Sequence, residues 1–274
     1  MASLNIALGG LIGAVLWPFR SLPAIVGLSV IALAAAIGML LVVRATSNQA
    51  GIAKVKRQIQ AGIFEIRLFN DDLRATFRAQ GEILRHNLTY IRLSLAPLVW
   101  MLVPFVLLLA QLQFYYGYDG LSPGRPTLVK VRLKEGASTG VPPITLTSPS
   151  GVRVETPLVW IPSQREAAWR IVADNPGDYQ LTVTLDGRQT TKQLRVSDAV
   201  GWRAPERLER GFLNQLLYPA EPPLESDVPI EAISVSYPSR AVNLLGWQTD
   251  WLIAFFVLSI VFAFALKNRF GVVI

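Results

Sequence analysis

The sequence predicts an α-helical integral membrane protein, with three transmembrane helices, a cytoplasmic helical hairpin and an inserted all-β immunoglobulin-like sandwich. Three observations carry this. Hydrophobic residues make up 51% of the 274 and charged residues only 16%, against roughly 25% charged in an ordinary soluble domain. Three apolar runs are free of charge over lengths near that of a bilayer crossing. Between the second and third runs the pattern changes to short alternating stretches separated by turn residues.

Residues 1–23 are apolar from Ser3 to Trp17 but too short to cross. Their first charge is Arg20, so they lack the positive start of a secretory signal. An interfacial helix anchored by Trp17 is expected there. Residues 24–43 form the first span, twenty residues without a charge. At about 1.5 Å per residue this reaches across the roughly 30 Å hydrocarbon core. Residues 93–113 form the second span and contain Pro97 and Pro104, which membrane helices tolerate when neighbours satisfy the freed carbonyls. The third span is assigned to 250–267. Its uncharged core, Trp251 to Leu266, has sixteen residues, so it is expected to recruit Leu244 to Trp247 or to lie in thinner membrane, and residues 268–274 form a tail.

Orientation follows from basic residues. Arg44 to Arg92 holds nine Lys/Arg against four Asp/Glu, whereas Phe114 to Thr249 holds fourteen of each. The first loop is therefore expected in the cytoplasm, with the N-terminus outside and the C-terminus inside. Within residues 44–92 apolar residues recur at helical spacing: Ile52, Val55, Ile59, Ile63 and Ile66, then Leu73, Phe77, Leu84, Leu88 and Ile91. Asn70-Asp71-Asp72 breaks the pattern with a cap and two first-turn acids. Two antiparallel helices satisfy the need for both ends to return to one membrane face, the second running on into the second span. One long amphipathic helix on the membrane surface is the alternative.

Residues 114–249 form an external region. Six stretches between Thr127 and Val196 alternate in polarity, and Pro149-Ser150-Gly151, Asn175-Pro176-Gly177 and Asp186-Gly187 separate strands at regular intervals. Such a series predicts a sandwich over about 127–196. From Gly201 to Gln248 the chain is proline-rich, and its Trp202, Phe212, Leu216, Leu217 and Tyr218 are expected to cover the sandwich or meet headgroups.

Zero cysteines exclude disulfides and thiolate metal sites. The single histidine, His86, has no paired carboxylate at ligand spacing, and no phosphate loop or nucleophile elbow is present, so neither an enzyme nor a cofactor or metal site is predicted. Uncharged spans without an inverted repeat argue against a transporter, and the net charge of +7 lacks any DNA-binding motif.

The order of elements, together with Ser21-Leu22-Pro23, Ala79-Gln80-Gly81-Glu82-Ile83-Leu84-Arg85 through Tyr90-Ile91-Arg92-Leu93-Ser94-Leu95-Ala96-Pro97, and Trp251 to Ser259, resembles the Oxa/YidC/Alb insertase superfamily. The likeness is to its three-span branch, which holds archaeal YidC-like proteins and subunit 3 of the endoplasmic-reticulum membrane protein complex. The sandwich is not part of that minimal plan. The resemblance implies an insertase or membrane-protein chaperone that receives hydrophobic segments of nascent chains at the cytoplasmic face without nucleotide hydrolysis. Physically, a polar groove in thinned membrane lowers the cost of carrying polar flanks through hydrocarbon. Candidate groove residues are Ser29, Ser94, Gln111, Gln113 and Ser259, with Arg92 at the mouth. The plainer alternatives are an interfacial belt beside Tyr115, Tyr116 and Tyr118 for the glutamines, bonds to their own helix for the serines, and snorkelling for Arg92. Lys54, Lys56, Arg57, Arg67, Arg74, Arg78 and Arg85 are candidates to meet ribosomal RNA or anionic lipid, or simply form a solvated positive loop. Other membrane-complex subunits are possible partners. Alanine- and arginine-rich composition and the inserted domain favour a bacterial inner membrane. The competing function is a structural or sensory membrane protein whose sandwich binds a partner while the hairpin docks another protein.

Overall fold

The computed structural model describes residues 2–19, 22–68, 72–136 and 140–272. Its helices are α1 (Ala2–Leu16), α2 (Ala24–Thr46), α3 (Gln49–Leu68), α4 (Leu73–Tyr116), α5 (Phe212–Leu217) and α6 (Trp251–Phe270). A short 3-10 turn, Trp17–Phe19, follows α1. Among the described residues α2, α4 and α6 are long and apolar enough to cross a membrane. Helix α6 does not recruit Leu244 to Trp247, which lie in a β-hairpin. It lengthens at its other end, where Lys267 and Arg269 occupy the last turn and suit the negative end of the helix dipole.

The chain divides into two compact units. One holds Leu28–Val106 and the chain from Phe255 onward; the other holds the chain up to Gly27 and Leu107–Ala254.

In the first of these, α3 and α4 form an antiparallel pair. Lys56 lies over the Tyr90 ring at 5.7 Å, and further along α3 a Cβ on Gly62 would fall 2.7 Å from Ile83 Cγ1 and 3.9 Å from the Ala79 carbonyl oxygen. Asn48 caps α3, its side-chain oxygen accepting the Gly51 N–H at 2.8 Å. Asn70 and Asp71 lie outside the described residues. Asp72, expected inside the first turn, is itself the cap of α4, and its carboxylate accepts the Arg74 N–H at 2.9 Å. The apolar row of α3 turns inward at its start, where Ile52 and Val55 are buried, while Ile63 is exposed. The row of α4 does not. Phe77, Leu84, Leu88 and Ile91 are exposed, and Ala79 and Ile83 face α3 instead. A small residue on each helix lets the backbones approach closely, and that approach selects the seam over side-chain bulk.

The second unit contains β1 (Pro126–Leu133), β2 (Ile144–Thr147), β3 (Val152–Val154), β4 (Val159–Ile161), β5 (Glu166–Ala173), β6 (Gly177–Leu185), β7 (Arg188–Val196), β8 (Glu206–Leu208), β9 (Ile230–Val235), β10 (Ala241–Leu244) and β11 (Trp247–Asp250). All pairings are antiparallel. One sheet runs β3-β5-β1-β9-β8 with β4 also on β5; another runs β2-β6-β7; β10 and β11 pair alone. Val131 and Leu133 from the first sheet share a buried cluster with Ile144, Val183 and Leu185 from the second. The predicted Asp186-Gly187 turn has both residues at positive φ (51° and 76°) between paired Leu185 and Arg188, the two-residue hairpin turn that matches strand twist.

The β-region exceeds the expected 127–196, because β8 and β9 come from the proline-rich segment and β9 pairs directly with β1. Buried cations hold that segment in place. The Lys192 ammonium, fully buried, donates to the carbonyls of Gln193 and Ala204 and to Glu221, whose other oxygen accepts the Gln193 N–H. Arg207 donates to the carbonyls of Pro222 and Pro223 and to Glu225. Burial is the main influence on Lys192 and lowers its pKa, with Glu221 opposing. Replacing Lys192 by Met strands the Glu221 carboxylate and is expected to cost about 3–5 kcal/mol, whereas K192M/E221L recovers most of that. Thermal unfolding of the two purified variants checks this; equal losses would refute it.

Candidate functional site

The last turn of α4 carries Phe114, Tyr115 and Tyr116, all buried. Its carbonyls lack intrahelical donors, and the Arg203 N–H fills one by donating to the Phe114 oxygen at 2.8 Å. Tyr115 meets the Trp202 ring edge-on at 5.6 Å and Phe114 meets Tyr218 at 5.7 Å. Helix α1 closes over this layer with small residues, since a Cβ on Gly9 or on Gly13 would stand 3.6 Å from the Trp202 indole. The Gly-x-x-x-Gly spacing puts both glycines on one face and lets the indole lie against backbone. Of the groove candidates, two belong here. Gln111 is 1% exposed with no partner for its Nε2, its Oε1 facing Gly9. Gln113 accepts the Trp251 indole N–H at 3.0 Å.

Below this layer sits Arg203, also 1% exposed. Its guanidinium donates to the carbonyls of Ser197 and Ala199, both at 2.7 Å, Gly201 at 3.1 Å and Asp119 at 3.3 Å. Burial, and secondly the charge of Arg240, pull its pKa below the ordinary value. Arg240 in turn pairs with Asp119 at 3.2 Å and donates its N–H to the Gly117 carbonyl. Beside Arg203 lies a recess of about 640 Å³ lined by Asp178, Gln180, Gln193, Arg195, Trp202 and Tyr237 among others. Arg195 grips Asp178 through two nitrogens at 2.6 and 2.9 Å. That bond holds the Asp178 carboxyl below the usual aspartate range. Burial pushes the Tyr237 phenol up, and its oxygen accepts the Arg195 backbone N–H at 2.9 Å.

Ser29, Arg92, Ser94 and Ser259 belong to the other unit. Ser259 is 5% exposed and its Oγ has no partner, one turn beyond the contact of Phe105 with Phe255 and Phe256 at 6.2 and 5.8 Å. Ser29 and Ser94 are half-buried and Arg92 is exposed. Along the hairpin Lys54, Arg57, Arg67, Arg74, Arg78 and Arg85 are exposed, with Arg78 bonded to Glu82 at 3.3 Å; Lys56 is half-buried.

Sequence reasoning missed Lys192, Arg203 and Arg207, because a lysine in an alternating strand and isolated arginines in a proline-rich stretch read as surface. Removing Arg203 leaves four carbonyls without their donor. R203A is expected to cost on the order of 3 kcal/mol or more, with Lys restoring only part, measured by thermal unfolding. For the Arg195–Asp178 pair, the folded Asp178 pKa lies below the unfolded one. Its contribution is therefore present above about pH 4 and lost as pH falls through the lower folded value. Denaturant titrations should show D178N less stable than the parent at pH 7 and converging with it in acid.

Comparison with protein families, with curated proteins and with solved structures finds no match for this chain.

Proposed function

We propose that this chain is a YidC-like membrane-protein insertase or chaperone of a bacterial inner membrane, with the hairpin in the cytoplasm and an immunoglobulin-like domain outside. The observation that carries the reading is the open flank of α4 where it enters the membrane. Leu98, Val99, Trp100, Leu102 and Val103 are 55–71% exposed, and Arg92 and Ser94 precede them within two turns of the same helix. A segment leaving water would meet polar groups first and an apolar helix face next. Only 12% of the most apolar part of α4 is buried, which leaves room for guest helices in place of lipid. The order of elements and the charge bias of the loops support family and orientation.

A photo-crosslinker placed at Ser94, Ser259 or Arg92 is expected to capture a ribosome-held chain with a single apolar segment, most strongly from Ser94. Absence of adducts from every position would remove the reading.

A second reading, a receptor-like membrane protein, draws on the recess beside Arg195 and Trp202. The substitution Gln180→Trp, which fills that recess, separates the two. An insertase retains its crosslinks, whereas a receptor loses its partner and has none to begin with.

A further inference from the structure

Helix α4 runs unbroken through 44 residues. At about 1.5 Å per residue it is some 66 Å long, roughly twice the hydrocarbon thickness, so its N-terminal half stands outside the membrane. On that half Phe77, Leu84, Leu88 and Ile91 are 69, 72, 68 and 49% exposed. With Gly81, and with Leu95 and Leu98 further on, they recur at alternating steps of four and three. This is the spacing of a coiled-coil seam, distinct from the Ala79/Ile83 face that meets α3. A straight helix drifts by about 20° per heptad from such a repeat, so lipid contact does not call for it while a second, supercoiled helix does. Nor can the membrane surface cover this part, because one continuous helix cannot cross the bilayer and also lie along it.

The flanks of the seam identify the occupant. On one side stand Arg78, Arg85 and Arg92, each exposed and each seven residues from the next; on the other stand Gln80, Asn87 and Ser94. Among the described residues Arg78 bonds to exposed Glu82 of its own helix, a pair worth little. In a seam of this register the arginines face the flanking positions of the partner. A second copy, held parallel by the shared membrane, would offer uncharged Gln80 and Asn87 and would add another basic hairpin. A partner with carboxylates at those positions gains charge pairing at every heptad.

We propose that the exposed face of α4 from Phe77 to Ile91 is a docking seam for an amphipathic helix of another protein, apolar at its core positions and acidic along the edge that meets Arg78, Arg85 and Arg92. The site does not require insertase activity, since Phe77 to Ile91 lie on the protruding half, and of the groove candidates it borders Arg92 alone.

The test uses the full chain in nanodiscs of phosphatidylcholine and a labelled three-heptad peptide with leucine core positions and glutamate flanks, against the same peptide with lysine flanks. Fluorescence anisotropy is expected to give at least about tenfold tighter binding of the glutamate peptide, weakening as salt rises. R78E/R85E/R92E should reverse the preference, and L84D/L88D should lose both peptides. Unchanged thermal unfolding shows that the variants are folded; a variant that unfolds is replaced by R85E alone, which should still narrow the preference. Equal binding of the two peptides overturns the proposal. So does near-complete self-disulfide formation by L88C in nanodiscs that blocks the peptide, which would make a second copy the occupant. Protection of residues 77–91 from hydrogen exchange by phosphatidylglycerol discs without peptide would also overturn it in favour of lipid.

Discussion

The burial of one unpaired guanidinium organises the β-bearing unit. Among the described residues Arg203 makes no salt bridge, and Asp119 acts on it only at longer range. Its charge is held by four carbonyl dipoles from the segment after β7 and from the residues that follow α4. Because a buried charge is costly unless every donor is met, those strands of backbone are fixed relative to one another as tightly as the cation is. Its own backbone N–H caps the end of α4. A single residue therefore joins the terminus of an apolar helix to the polar edge of a sheet, a boundary at which hydrophobic burial by itself gives no directional preference.

Lys192 and Arg207 extend the same logic along the proline-rich segment. Proline contributes no N–H, so a chain rich in it cannot be held by a ladder of backbone bonds, but its carbonyls remain acceptors. Arg207 uses those of Pro222 and Pro223. Buried cations thus replace the missing donors, and β9 reaches its place beside β1.

What the sequence made legible was what depends on periodicity and on turn chemistry. The alternation from Leu128 to Leu133 and the Asp186-Gly187 turn became β1 and the β6–β7 hairpin. The three apolar runs became α2, the second half of α4, and α6. Strand β8, only Glu206–Leu208, is too short to show a period and follows directly on Pro205. For α4, the sequence shows a bulky apolar row at helical spacing, yet the backbone approach at Gly62 and Ala79 set the pairing. Periodicity records that a face is apolar without saying which neighbour covers it. Gln111 was legible as a polar residue at depth. Its setting against Gly9 depends on α1 folding over it, a contact across a hundred residues that no local pattern encodes.

The two prolines inside α4 have a mechanical consequence. Pro97 and Pro104 lack the N–H that would bond the carbonyls of Leu93 and Trp100, and at seven residues apart the two gaps fall within about 20° of the same side. The helix is therefore compliant in one plane at two successive levels, and stiff elsewhere. A sideways pull on its N-terminal end is taken up as a bow in that plane.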